Sequence, residues 1–130
     1  MAELTRDEIR TLAARTDQTH AEGKSLWKKT RISRLRSSNF VMGLAAILNP
    51  HESSIEKLKG DIYFPKNIDS IPAIKWGKEH EPVAISAYVN ETHAIYDSTG
   101  IWMYKNNMLG ASPDGLILTA TRPQERIGVI

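Results

Sequence analysis

The chain has no cysteine. That excludes a disulfide scaffold, a cysteine-ligated zinc site and a thiol nucleophile, and it fits a reducing compartment. No apolar run approaches the roughly 20 residues of a membrane-spanning helix, so no membrane partner is expected. The opening Met1-Ala2-Glu3-Leu4-Thr5-Arg6-Asp7-Glu8 is polar and acidic, unlike the basic and then apolar start of a secretory signal. The expected location is therefore inside the cell, in nucleus or cytoplasm, as a soluble protein. Internal repeats, low-complexity tracts and linkers are also missing. A strong charge of either sign is lacking too: the net charge is +2, so the field of the whole molecule says little. What is present is an ordinary globular composition, 41% hydrophobic and 25% charged over 130 residues, enough for one domain.

The distribution of charge is more informative than its sum. Between Lys24 and Arg36 stand six basic residues, Lys24, Lys28, Lys29, Arg31, Arg34 and Arg36, and no acid. Such a run makes either a solvated helix face or a local positive field suited to a nucleic-acid backbone.

Local signals place the elements. Thr5 and Glu8 match a capping box, and Leu4, Ile9, Leu12 and Ala13 follow at helical spacing, which predicts a helix from Arg6 to Arg15. Ala21 to Arg31 reads as a second helix. Ser37 or Ser38 would cap a third, in which Phe40, Val41, Leu44, Ile47 and Leu48 recur at helical spacing before Pro50. Gly43 inside it costs roughly 1 kcal/mol relative to Ala. Ile55 to Leu58 supplies another turn or two, and Asp61 to Ile71 reads as loop. Pro72 suits the first turn of a helix running to about Asn90. In that helix Ile74, Gly77, Glu81, Ala84, Ile85 and Tyr88 fall on one side. Glu81 thus interrupts an apolar face, where an ionised carboxylate needs a partner, and Pro82 removes a hydrogen bond beside it. Breaks of this kind gather at functional sites; a salt-bridged core glutamate is the plainer alternative.

After Asn90 the pattern turns to strands: Ala94–Tyr96, Ile101–Tyr104, Leu109–Ser112, Leu116–Ala120 and Arg126–Ile130. Turns are expected at Asp97–Gly100, Asn106-Asn107 and Thr121–Glu125. Within Gly110-Ala111-Ser112-Pro113-Asp114-Gly115-Leu116, Pro113 and Gly115 hold Asp114 at a kink between extended segments. An ordinary β-turn has the same sequence. Two carboxylates, Glu81 on a helix and Asp114 at a strand kink, suggest a divalent-metal site, since hard cations take oxygen ligands. With the basic stretch, they suggest phosphodiester hydrolysis. Two acids alone are too few to specify a site.

Three ordered blocks carry a resemblance. They are Trp27-Lys28-Lys29-Thr30-Arg31 with Arg34-Leu35-Arg36-Ser37-Ser38-Asn39-Phe40, then Trp76-Gly77-Lys78-Glu79-His80-Glu81-Pro82-Val83-Ala84, then Ala111-Ser112-Pro113-Asp114-Gly115-Leu116. They resemble the "R-I-T-A-S-x-F", "W-G-x-x-x-E-x-x-A" and "S-P-D-G-L" signatures of the phage lambda exonuclease family. These are also called YqaJ-type viral recombinase nucleases, within the PD-(D/E)xK group. By that resemblance Asp114 and Glu81 are the catalytic and metal-binding acids. Arg31 binds a terminal 5′-phosphate and Ser38 helps hold it; Arg34 and Arg36, from the basic stretch, are the further candidates for DNA binding. Arg36 stands where the family usually has Thr. Trp27 and Trp76 read as core residues, and His80 receives no role.

The implied activity is a Mg²⁺-dependent exonuclease, with Mn²⁺ as the alternative ion. It would degrade duplex DNA 5′→3′ from a 5′-phosphate end, in recombination or repair. The implied partners are duplex DNA, a single-strand annealing protein and further copies of the chain in a homo-oligomer. The implied fold is α+β, a restriction-endonuclease-like core with N-terminal helices packed on a small mixed sheet. Residues 1–130 would form one partial domain. In the family a strand after "S-P-D-G-L" carries Glu-x-Lys. Here Gly128-Val129-Ile130 resembles the residues just before it, and no Glu-x-Lys follows Asp114. The expectation is a C-terminally truncated chain, weakly active or inactive, with an uncovered sheet edge. The alternative is a non-catalytic DNA-end-binding module or a decaying gene copy.

Overall fold

A computed structural model describes residues 2–118 and 126–129. In chain order its helices are α1 (Arg6–Arg15), α2 (Ala21–Arg31), α3 (Phe40–Leu48), α4 (Glu52–Tyr63) and α5 (Pro72–Thr92). Its strands are β1 (Leu35–Arg36), β2 (Ile95–Asp97), β3 (Trp102–Met103), β4 (Leu109–Ala111), β5 (Leu116–Leu118) and β6 (Arg126–Val129). The protein is α+β and forms two compact units. One joins Met1–Pro65 to Ser98–Pro113, and the other joins Lys66–Asp97 to Asp114–Ile130. Among the described residues no helix is long and apolar enough to cross a membrane.

In the first unit α1 starts at the expected capping box. The Thr5 hydroxyl accepts from Glu8 N at 3.2 Å, and Thr5 N donates to Glu8 Oε1 at 3.3 Å. The far end of α1 docks on the start of β3. Thr16 is fully buried; its hydroxyl donates to Leu12 O at 2.7 Å and accepts from Ile101 N at 2.8 Å. Gly100 N donates to Ala13 O at 2.9 Å. A Cβ at Gly100 would lie 2.3 Å from the Thr16 carbonyl carbon, so only glycine allows this approach. Ala13, Ile101 and Met103 are buried around the contact.

The first sheet has the order β1-β4-β3 and is mixed. β1 runs parallel to β4, pairing Leu35 with Leu109 and Arg36 with Gly110, while β3 is antiparallel to β4. The two-residue β1 carries no sequence signal of its own; it exists through its pairing. Gly43 of α3 faces it, its missing Cβ only 3.2 Å from Leu35 Cδ1. The helix therefore gives up propensity at Gly43 for close packing. Gly43 and Ala46 form the buried side of α3, whereas Phe40, Val41, Leu44, Ile47 and Leu48 are exposed.

Three expectations for this unit need correction. Neither Ser37 nor Ser38 caps α3: both lie in a 3₁₀ turn, Ser37–Asn39, tied by Arg36 N donating to Asn39 Oδ1 at 2.8 Å. α4 is far longer than Ile55–Leu58. It begins at a His51 cap that accepts from Ser53 N at 3.3 Å, and Ser33 N donates to Ile62 O at 3.0 Å near its end. Asp61–Tyr63, read as loop, is thus helical because a distant backbone group holds it.

In the second unit α5 begins with Pro72 and continues through Pro82 without a break. None of its residues is buried; Ile74, Ile85 and Val89 are half-buried, while Glu81 and Tyr88 are exposed. The expected buried face bearing Glu81 is therefore not formed. The second sheet has the order β2-β5-β6, wholly antiparallel. Tyr96 pairs with Ile117 and Leu116 with Val129. Leu116 and Ile117 are its buried residues. The expected turn Thr121–Glu125, and Thr119-Ala120 and Ile130 at the ends of two expected strands, lie outside the described residues.

Candidate metal centre and nucleic-acid surface

Glu81 and Asp114 both belong to the second unit. Asp114 leads into β5, and two contacts fix the kink. The Tyr96 hydroxyl donates to the Asp114 carbonyl oxygen at 2.8 Å. A Cβ on Gly115 would fall 1.9 Å from Tyr96 Cε2. Gly115 thus makes room for the ring that pins its neighbour. Sequence reasoning gave Tyr96 no role, because its place two strands away appears only when β2 pairs with β5.

Asp114 reaches Glu81. The Glu81 carboxyl is pushed up from its ordinary range, first by partial burial, then by a side-chain hydrogen bond to Asp114 and by the Asp114 charge; Lys78 pulls the other way. Lys78 is itself paired with Asp69. Two carboxyls close enough to share a proton form a site of excess negative charge. Their donor set fits a hard divalent cation, which commonly takes one or two carboxylates and fills its remaining positions with water and phosphate oxygens. Among the described residues no cluster of three or more acidic or histidine side chains completes a protein-only shell.

One turn before Glu81 lies a feature the sequence misled on. Trp76, expected in the core, is 62% exposed. Its ring stacks on His80 with centroids 4.0 Å apart, and the His80 Nδ1 lies 2.8 Å from Trp76 O. The i, i+4 spacing permits this pair on an exposed helix face.

The basic residues occupy the first unit. The Arg31 guanidinium lies 4.1 Å from the centre of the Trp27 ring, a cation–π arrangement. Trp27 Nε1 donates to Ser112 Oγ at 2.8 Å, which links Arg31 to the Ser-Pro end of the "S-P-D-G" block. Burial lowers the Arg31 pKa, and repulsion from Arg36 adds to this. Arg36 is buried, and its Nη2 donates to Asp61 O at 3.0 Å. Arg34 is turned inward: Nη1 donates to Thr30 O at 2.9 Å and Nη2 to Asn107 Oδ1 at 3.2 Å. It thereby braces the turn where Asn107 takes a left-handed φ of 59°. Ser38 is exposed. Arg31 is thus the half-exposed guanidinium of the set held by a rigid aromatic, while Arg34 and Arg36 are partly spent on structure.

The model of the YqaJ-like viral recombinase domain matches residues 26–127. The chain belongs to this family, whose theme is nuclease and recombination chemistry on DNA. No curated protein and no solved structure matches it.

Proposed function

We propose that this protein is a divalent-metal-dependent DNA exonuclease of the recombination type, acting 5′→3′ on duplex ends. The observation that carries the reading is the Glu81–Asp114 pair, two carboxyls on separate elements whose hydrogen bond and like charge help raise the Glu81 pKa despite the nearby Lys78. Such a pair is costly unless something positive relieves it. Glu81 and Asp114 would hold Mg²⁺, or Mn²⁺ in its place. When bound, the ion supplies an activated water and charge stabilisation at the phosphate. Tyr96 holds the Asp114 backbone, and Arg31, stacked on Trp27, receives the terminal 5′-phosphate with Ser38 beside the same segment. Arg36 and Arg34 shape that surface.

Isothermal titration with Mg²⁺ and Mn²⁺, beside cleavage of a 5′-phosphorylated duplex, tests this reading. Metal binding abolished by Asp114→Ala supports the site. Metal binding unchanged by Asp114→Ala and Glu81→Ala together would overturn it.

A further inference from the structure

Lys78 stands between two acids of the second unit, Asp69 and Glu81. On α5 the residues three and four positions away from it are Ile74, Lys75, Glu81 and Pro82. Side chains at that spacing are neighbours, about 5–6 Å apart at Cβ, and Glu81 is the one acid of the four. Lys78 nevertheless makes its ion pair with Asp69, in the turn ahead of the helix. Helix geometry explains the choice. Cα–Cβ bonds tilt toward the N-terminus, so a long side chain reaches back over the preceding turn. Asp69 is set to receive it: Asp69 N donates to Asn67 Oδ1 at 3.1 Å and Ile71 N to Ile68 O at 3.0 Å, which hold the turn before Pro72. The Lys78 and Asp69 side chains are 56% and 41% exposed, and an ion pair this exposed adds little to the stability of the fold.

The placement matters for the two carboxyls. The Lys78 charge is felt at Glu81, yet its ammonium is bonded to Asp69. An ammonium seated on Glu81 and Asp114 would relieve their repulsion and compete for the oxygens a divalent cation needs. Held on Asp69, it relieves the repulsion in part and leaves those oxygens to the incoming ion. Lys78 and a divalent cation carry charge of the same sign, so each binds the carboxyls at the expense of the other.

We propose that Lys78 is an exchangeable counter-ion of the Glu81–Asp114 pair and that Asp69 is its holding point, so that the two residues set how tightly the site takes a divalent cation. The inference rests on the reading of that pair as a metal site, and a metal-free measurement separates the two. In isothermal titration with Mg²⁺ and Mn²⁺, Lys78→Met should tighten binding about threefold, the scale of one exposed charge a helical turn away acting on a divalent ion. Asp69→Asn sends Lys78 back to the carboxyls and should weaken binding by a similar factor. Lys78→Met combined with Asp69→Asn should match Lys78→Met alone, because Asp69 acts through the lysine. An Asp69→Asn effect that persists without the lysine, or unchanged affinity in Lys78→Met, overturns the proposal. Urea unfolding in EDTA is the metal-free measurement. In the Asp69→Asn background Lys78→Met should lower the urea midpoint, and Glu81→Gln should abolish that loss. Absence of this coupling overturns the counter-ion assignment whatever the metal titration shows. No uptake of either metal by the unmodified chain sinks the metal reading, and the counter-ion assignment then stands on the urea coupling alone.

Discussion

The Tyr96 hydroxyl donates a 2.8 Å hydrogen bond to the backbone carbonyl of Asp114, and the Tyr96 ring fills the space where a side chain on Gly115 would stand. A strand residue thus fixes the main chain of a candidate metal ligand, and a glycine makes this geometry accessible. Gly115→Ala should force the ring aside. Overpacking of this kind costs typically about 1–3 kcal/mol, readable as a lower urea midpoint with an unchanged slope. Tyr96→Phe keeps the ring and loses the hydrogen bond, so it should weaken Mg²⁺ binding while leaving most of the stability. Equal Mg²⁺ affinity in Tyr96→Phe and the unmodified chain would show that the bond does not position Asp114.

The Glu81–Asp114 contact makes a pH prediction. Glu81 titrates above its ordinary range in the folded chain. Between the unfolded value and the raised folded value the native state binds more protons than the unfolded state, so stability falls as pH rises through that window. Asp114→Asn removes a negative charge and should bring the Glu81 titration down and flatten that slope. Carbon-detected NMR titration of the glutamate carboxyls, with urea melts at several pH values, checks both. A Glu81 titration unmoved by Asp114→Asn would refute the pairing.

Arg31 and Trp27 are expected to act as a unit in DNA binding. Arg31→Ala should reduce the salt dependence of duplex binding by about 0.9 in the log–log slope, the loss of one phosphate contact. Trp27→Leu removes the ring under the guanidinium and the donor to Ser112. It should weaken binding about threefold, in line with the roughly 0.5–1 kcal/mol of an exposed cation–π contact. If Trp27→Leu lowers thermal stability but leaves affinity for 5′-phosphorylated ends intact, the tryptophan has a packing role only.

Thr16 makes a stability prediction independent of function. Thr16→Val keeps the shape but leaves the Ile101 N–H buried without its acceptor. An unsatisfied buried donor costs about 1–3 kcal/mol, which should appear as a lower melting temperature. Stability equal to that of the unmodified chain would mean that another acceptor takes over.

Short-range interactions made several parts of this protein legible in its sequence. The Thr5–Glu8 capping box, the spans Arg6–Arg15 and Ala21–Arg31 and the Pro72 start of α5 depend on groups within a few residues of each other. The blocks around Arg31, Glu81 and Asp114 were likewise readable, and the family match over residues 26–127 agrees with them. Tertiary pairing decided the rest. β1 exists because Leu35 and Arg36 find Leu109 and Gly110, and α4 extends to Tyr63 with Ser33 bonded near its end. Tyr96 meets Asp114 because β2 pairs with β5. Trp76 is exposed although its residue type suits a core, because α5 leaves that face open. A sequence shows which local hydrogen bonds and side-chain patterns are available. Which distant groups satisfy one another, and which apolar faces remain uncovered, is fixed only when the chain closes its long-range contacts.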